Sequence, residues 1–270
     1  MSNGLTDPKT DVAHPARIYD YFLGGKDNYE LDREVGQRSL AAFSSVRLAA
    51  RANREFMHRT THFVARQGLR QFLDIGAGIP TEPNLHQVAQ SVAPESRVVY
   101  VDNDPCVLAH ARALLTGTDE GRTAYVQAEA TDPTAILAAK QLHDTLDLTE
   151  PVAVSLIGLL HFIRGDVAEI VSTLLDPLAS GSTLTVTHVT TDLDDGPDDP
   201  NGIGRVIDVY DQSGIPTVAR TRMQVESLFG GMDLIDPGVA MVHRWRPRGI
   251  EPPQSLDKQI SLWGGVGVKR

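Results

Sequence analysis

The sequence predicts an α/β protein with a mainly parallel sheet covered on both faces. Three observations carry that expectation. Five short apolar runs alternate with helical patterns between about residues 70 and 190. The fourth, PVAVSLIGLL, is apolar at nearly consecutive positions and the second, SRVVYVDND, shows the same pattern, as in strands buried on both sides. Glycines follow Asp74 in the first run and Asp closes the second and third, residues of strand-to-helix turns.

Residues 1–14 (MSNGLTDPKTDVAH) are polar and aperiodic and are expected to form a loose, disordered tail. Residues 15–67 carry successive helical patterns and predict an N-terminal cap. In PARIYDYFLGGKDNY, Ile18, Tyr21 and Phe22 share one helical face, and Gly24-Gly25 stop the helix. A later helix sets Arg47, Arg51, Arg54 and His58 on one side. The sheet-bearing domain is expected over 68–270, where RQFLDIG supplies a strand carrying Asp74 and SRVVYVDND one ending at Asp102. Asp104 and Pro105 then open a helix running through Leu115, as cap and first-turn residue. TAYVQAEATD and PVAVSLIGLL are the third and fourth strands, and a helix over about 166–178 leads through Gly181 to the fifth, STLTVTHV. The acidic stretch DLDDGPDDPNG (192–202) breaks the pattern, a helix near 221–229 follows, and MDLIDPGVAMVHRW and ISLWGGVGVK read as closing strands.

The composition narrows the function classes. With 25 basic and 35 acidic side chains the net charge is −10, which argues against a nucleic-acid backbone or an anionic membrane as the main partner. Cys106 is the only cysteine, so neither an internal disulfide nor a zinc spacing is available. No signal peptide or membrane-length apolar run is present, and a cytoplasmic location is the default expectation.

The chemistry concentrates in FLDIGAGIPT (72–81), where Asp74 precedes a turn containing Gly76 and Gly78. Such glycines let ligand atoms approach the backbone. A dinucleotide fingerprint asks for a third small residue three positions after the second glycine, but Thr81 stands there. An acidic residue inside the motif suits a cofactor with a cationic amino acid end and no pyrophosphate; an ordinary strand-to-helix turn is the plainer reading. Asp102 closes the second strand 28 residues after Asp74, where a carboxylate accepts ribose hydroxyls. Asp132, after the third strand, offers an acceptor for an adenine amino group, although Asp132-Pro133 also makes a good helix start. All three carboxylates lie at carboxyl ends of strands, where open α/β sheets bind ligands.

The succession FLDIGAG, VVYVDND, EATD and VSLIGLLHF resembles the motifs of Rossmann-like S-adenosylmethionine-dependent methyltransferases. More specifically, PARIYDYFLGGKDNYELDRE, RANREF and LWGGVGVKR are similar to an actinobacterial family of such enzymes long catalogued as a domain of unknown function. The resemblance implies a Rossmann-like fold with seven strands, mostly parallel, the antiparallel one formed by ISLWGGVGVK. It further implies S-adenosylmethionine as cofactor and S-adenosylhomocysteine as product. Asp74, Gly76 and Gly78 would lie along the methionine part, Asp102 and Asn103 at the ribose, and Asp132 at the adenine. Ser155 to Gly158 would border the reacting methyl. Ile79 departs from the small residue usual at its position.

His161 and His188 end the fourth and fifth strands on the same rim and are the candidate general bases, with loop capping as the bland alternative. Tyr19, Lys26, Asn28 and Tyr29 are candidates for a lid, and Arg54 for a carboxylate of cofactor or substrate or for an ordinary surface ion pair. The acidic loop lacks the spacing of a calcium site and reads as a flexible surface loop, so no metal is expected. The acceptor is expected to be a small molecule. A non-catalytic S-adenosylmethionine sensor, or less readily a nicotinamide-dependent oxidoreductase, is the alternative, and the sequence leaves the oligomeric state open.

Overall fold

Successive residues of each strand point to opposite faces, and a computed structural model of the chain places helices over both. The structure describes residues 10–114 and 117–270. Residues 1–9 of the expected tail, and Leu115 at the expected end of a helix, lie outside the described residues. The strands are β1 (Gln71–Ile75), β2 (Arg97–Asp102), β3 (Arg122–Gln127), β4 (Ala153–Leu156), β5 (Thr183–Val189), β6 (Met232–Leu234), β7 (Ala240–Met241) and β8 (Leu262–Lys269). The helices are α1 (Pro15–Leu23), α2 (Glu30–Ala42), α3 (Val46–Arg66), α4 (Leu85–Val92), α5 (Pro105–Leu114), α6 (Pro133–Ala138), α7 (Lys140–His143), α8 (Val167–Leu175), α9 (Gly204–Gln212), α10 (Arg222–Ser227) and α11 (Leu256–Ile260).

The sheet runs β3-β2-β1-β4-β5-β8-β6, with β7 paired to β8. Strands β1 to β5 are parallel, whereas β8 runs antiparallel to β5 and to β6. The main path thus holds the expected seven strands with ISLWGGVGVK as the antiparallel one, and the two-residue β7 is an addition. The run MDLIDPGVAMVHRW is not one strand. It divides into β6, β7 and a 3₁₀ turn over Val242–Arg244, because Pro237 has no N–H for the ladder and a Gly238-to-Ile235 hydrogen bond of 2.8 Å closes a turn there.

Two further expectations are corrected. His14, placed in the tail by sequence, caps α1: its Nδ1 accepts from Ala16 N–H at 3.3 Å, and its own N–H donates to Asp32 at 2.9 Å. The acidic loop is not a free strand of surface chain. Asp194 accepts from the N–H groups of Ile203 and Gly204, and Asp192 from Arg222 N–H and the Trp263 indole. Asp199 accepts from Asp195 and Asn201 N–H and pairs with Lys258 at 2.7 Å, a partnership that holds its carboxyl down at about 2. These contacts lead the chain into α9, an element the sequence reading did not identify although Val206, Ile207 and Tyr210 show its spacing.

Phe72, Val98 and Ala153 pack beneath α1 and α3, while their neighbours Leu73, Val99 and Val154 pack on the α8 side. On the α3 face Trp245 is fully buried and meets Phe56 and Phe63 edge-on, with ring centroids 5.6 and 5.8 Å away. Its indole N–H has no partner, so truncation removes packing and no hydrogen bond. Trp245→Ala is expected to lower stability by about 3–5 kcal/mol, read as a lower midpoint in urea unfolding. Helices α1 to α3 pack together, α2 meets α9, and α3 reaches β5 and β8. No helix among the described residues is long and apolar enough to cross a membrane.

Candidate functional site

The turn after β1 is held to β2 by its backbone. Gly76 and Ala77 N–H donate to Val101 O at 2.9 and 3.1 Å. Gly76 has φ +77°, and a Cβ on it would stand 2.9 Å from Leu159 Cδ1, so only glycine fits. Gly78 has φ +67° and open space where its Cβ would be, leaving bare backbone on the cavity. Its N–H donates to Asp102 Oδ2 at 2.9 Å, and Asp104 N–H donates to Oδ1 at 2.9 Å. Burial raises the Asp102 carboxyl above the usual range against the pull of these two N–H groups.

Above the turn lies a cavity of about 340 Å³, within the usual size of small-molecule sites. Asp74, Gly76, Gly78, Asp102, Asn103, Gly158 and His161 line it from the sheet, and Tyr19 and Arg54 from the helices above. Asp74 is half-buried in its floor. Burial pushes its pKa up to about 7, with Arg54 opposing and Asp102 adding to the rise. Arg54 donates through Nη2 to Thr81 O and, at 2.9 Å, to Pro83 O, while its Nε is buried without a partner. Asn53, not singled out by sequence, donates through Nδ2 to Tyr19 Oη at 3.3 Å and leaves Oδ1 buried and unpaired. Tyr19 Oη donates to Ala50 O at 2.8 Å, which makes it part of the wall.

The two histidines part company. His161 lines the cavity, is 9% exposed, and has a buried, unpaired Nδ1. Burial, with His188 and Arg220 nearby, depresses its pKa far below that of free imidazole, so the ring is neutral. His188 is fully buried and off the cavity. Its Nδ1 lies 2.8 Å from Val189 O and its Nε2 2.7 Å from Arg220 Nη1, so both nitrogens are engaged and no lone pair is left for a substrate. The base role expected for His188 is withdrawn.

Several other expected residues stand elsewhere. Asp132 is exposed and caps α6, accepting from Ala135 N–H at 2.9 Å, so the helix-start alternative describes it; Glu129 and Thr131 line the cavity instead. Ser155 lies beside Asp74 in register but is buried outside the lining. Asn28 is buried against Asp20 at 2.7 Å, Tyr29 Oη lies 3.7 Å from Cys106 Sγ, and Lys26 is exposed; none of the three lines the cavity. Asn28 ties the α1–α2 connection together, donating to Asp20 and to Gly25 O. His14 and Glu129 join the lining unforeseen. No cluster of three or more His, Cys, Asp or Glu suited to a metal occurs among the described residues.

The profile of the S-adenosyl methyltransferase family matches residues 4–270. A DUF574 family protein of Streptomyces avermitilis MA-4680 is 46% identical and superposes with a TM-score of 0.93, over 98% of this chain and 100% of that one. A candidate methyltransferase of Thermobifida fusca YX is 36% identical, with a TM-score of 0.88 over 99% and 98%. The plantazolicin methyltransferase BpumL, in complex with a triazolic desmethylPZN analogue and SAH, shares the fold at 12% identity, with a TM-score of 0.52 over 94% and 96%. No curated protein matches the chain in sequence.

Proposed function

The chain belongs to the S-adenosyl methyltransferase family, and from that premise we propose that the cavity holds S-adenosylmethionine over β1 to β4 and serves a small-molecule acceptor. The observation that carries the assignment of residues is a pair of opposite charges over the end of β1. Asp74 and Arg54 face each other's fields there, and the Arg54 Nε and Asn53 Oδ1 beside them lack partners. A zwitterionic amino acid end satisfies all four: its ammonium meets Asp74 and Asn53, its carboxylate Arg54.

S-adenosylmethionine supplies an electrophilic methyl group on a sulfonium, so the protein's part is alignment and a dry site. Asp102, with Asn103 beside it, accepts the ribose hydroxyls. The bare backbone at Gly76 and Gly78 lets the methionine part approach, and Gly158 borders the reacting methyl, with Ser155 behind the wall. The adenine end falls to Glu129 and Thr131. Residues 15–67 act as the cap that closes the site. A cavity of about 340 Å³ and a net charge of −10 favour a small acceptor over nucleic acid. The single cysteine fits a cytoplasmic location.

Calorimetry with S-adenosylmethionine, S-adenosylhomocysteine and NAD(H) tests the reading. The first two are expected to bind and the dinucleotide is not. Arg54→Met is expected to weaken both by roughly 10- to 100-fold, the loss of a charge-assisted contact. A melting curve alongside separates that loss from the loosening of the Thr81 and Pro83 carbonyls that Arg54 also holds. Binding of NAD(H) alone, or of nothing, sinks the proposal.

A further inference from the structure

The cavity is longer than its charged end. Its lining draws on the carboxyl ends of β3, β2, β1, β4 and β5 and on the start of β8, six adjacent strands. At the usual strand spacing of ~4.8 Å that is about 24 Å of sheet edge. The charged and ionisable groups His14, Arg54, Asp74, Asp102 and Glu129 come from β1 to β3 and the helices above. Past β4 the described lining carries no carboxylate, ammonium or guanidinium; it is built from side chains such as Phe162, Ile203, Val206, Ile207 and Leu262. The polar groups there are three. Thr217 is spoken for by Ile215 O at 3.2 Å, and Tyr210, stacked on Phe162 with centroids 5.7 Å apart, has its hydroxyl pKa pushed up by burial, so that it stays a neutral phenol and is no base. His161 has its unpaired Nδ1, and no hydrogen bond from a described residue reaches its ring.

Resting on the methyltransferase reading, we infer that the β4–β8 half of the cavity takes an uncharged, flat, largely apolar molecule and that its hydroxyl is methylated with His161 as proton acceptor. Position and chemistry both argue for this. A cationic amine or a carboxylate would be stripped of water in this lobe and meet no counter-charge. An apolar ring loses nothing by entering and can lie along Phe162 and Tyr210. A hydroxyl at its edge gives the unsatisfied imidazole the hydrogen bond that the protein withholds.

The step balances without a further reactant. The acceptor oxygen forms the new O–C bond, the S–C bond breaks with its electron pair left on sulfur, and the hydroxyl proton passes to His161 and then to water. Burial keeps the ring neutral and weakly basic. Weak basicity suffices, because the hydroxyl becomes strongly acidic as the O–C bond forms.

The test loads the full chain with S-adenosylhomocysteine and titrates three probes of one shape: naphthol, naphthoate and the naphthylmethylammonium ion. Naphthol is expected to bind at least about tenfold more tightly than either ion. With S-adenosylmethionine it should gain one methylene in mass as the ether. His161→Phe should bind S-adenosylhomocysteine within about twofold of wild type and lose at least about 100-fold in kcat for naphthol. His161→Gln, which accepts a hydrogen bond but no proton, should recover KM and not kcat. Equal binding of an ion, no binding of naphthol, or binding without methylation overturns the acceptor class. A His161→Phe enzyme within threefold of wild type overturns the base. Failure to take up S-adenosylhomocysteine at all sinks the cofactor reading itself, and the acceptor assignment falls with it.

Discussion

Replacing Asp102 by alanine is expected to weaken S-adenosylhomocysteine binding by roughly 100- to 1000-fold in calorimetry. Two effects combine. The ribose loses a charged acceptor for both hydroxyls, each such bond contributing about 1.5–3 kcal/mol net of the exchange with water. The turn also loses its anchor, since Gly78 N–H and Asp104 N–H both donate to this side chain. Asp102→Asn keeps part of each. Its carbonyl oxygen can still receive one backbone N–H, but its amide presents a donor where the other N–H points. An intermediate loss of about tenfold to 100-fold is therefore expected, with a melting point between those of wild type and Asp102→Ala. If Asp102→Ala binds the ligand within threefold of wild type while remaining folded, the ribose assignment is wrong.

Legibility differed between the sheet and what covers it. Asp74, Gly76, Gly78 and Asp102 could be brought to one crevice from sequence because they lie at or just past the ends of β1 and β2, and parallel strands align their carboxyl ends by topology alone. Residues supplied by helices were harder. Arg54 was picked out by its spacing on α3, but Asn53 beside it looked like any polar helix residue; only the tertiary packing that brings it beside Gly158 and Tyr19 leaves its Oδ1 buried and unpaired. His188 and Asp132 show the opposite error. Their rim positions fitted a ligand role, yet the first is claimed by Arg220 and the second by the first turn of α6, partners set by tertiary fold and by local capping. The acidic loop misled because charge density suggests solvation, whereas aspartates are also good acceptors for turn N–H groups. The fold class, by contrast, rested on strand patterns alone, and every residue of β4 and β5 is buried, the threonines and His188 of β5 included.

Cofactor affinity should fall with acid through the titration of Asp74. In the free protein burial raises this carboxyl to about 7; the like charge of Asp102 adds to the rise and the Arg54 guanidinium opposes it. Tyr100, whose own pKa Asp74 helps to raise, also shares its surroundings and stays neutral. The sign follows from which form the ligand prefers. An ammonium placed at Asp74 stabilises the carboxylate and lowers its pKa on binding, so the ligand selects the ionised form. Above about pH 8 that form predominates and affinity is flat; below 7 each pH unit weakens binding by about tenfold, or about 1.4 kcal/mol. The dissociation constant for S-adenosylhomocysteine should therefore be about tenfold larger at pH 6 than at pH 8, with about half a proton released per ligand at pH 7. Calorimetry in buffers of different ionisation enthalpy counts that proton directly. Asp74→Asn should bind weakly and lose the pH dependence together with the proton release. An affinity unchanged between pH 6 and pH 8, or a proton taken up on binding, would mean that Asp74 does not face the cationic end of the ligand. The Arg54 pairing with the carboxylate would then have to be tested on its own.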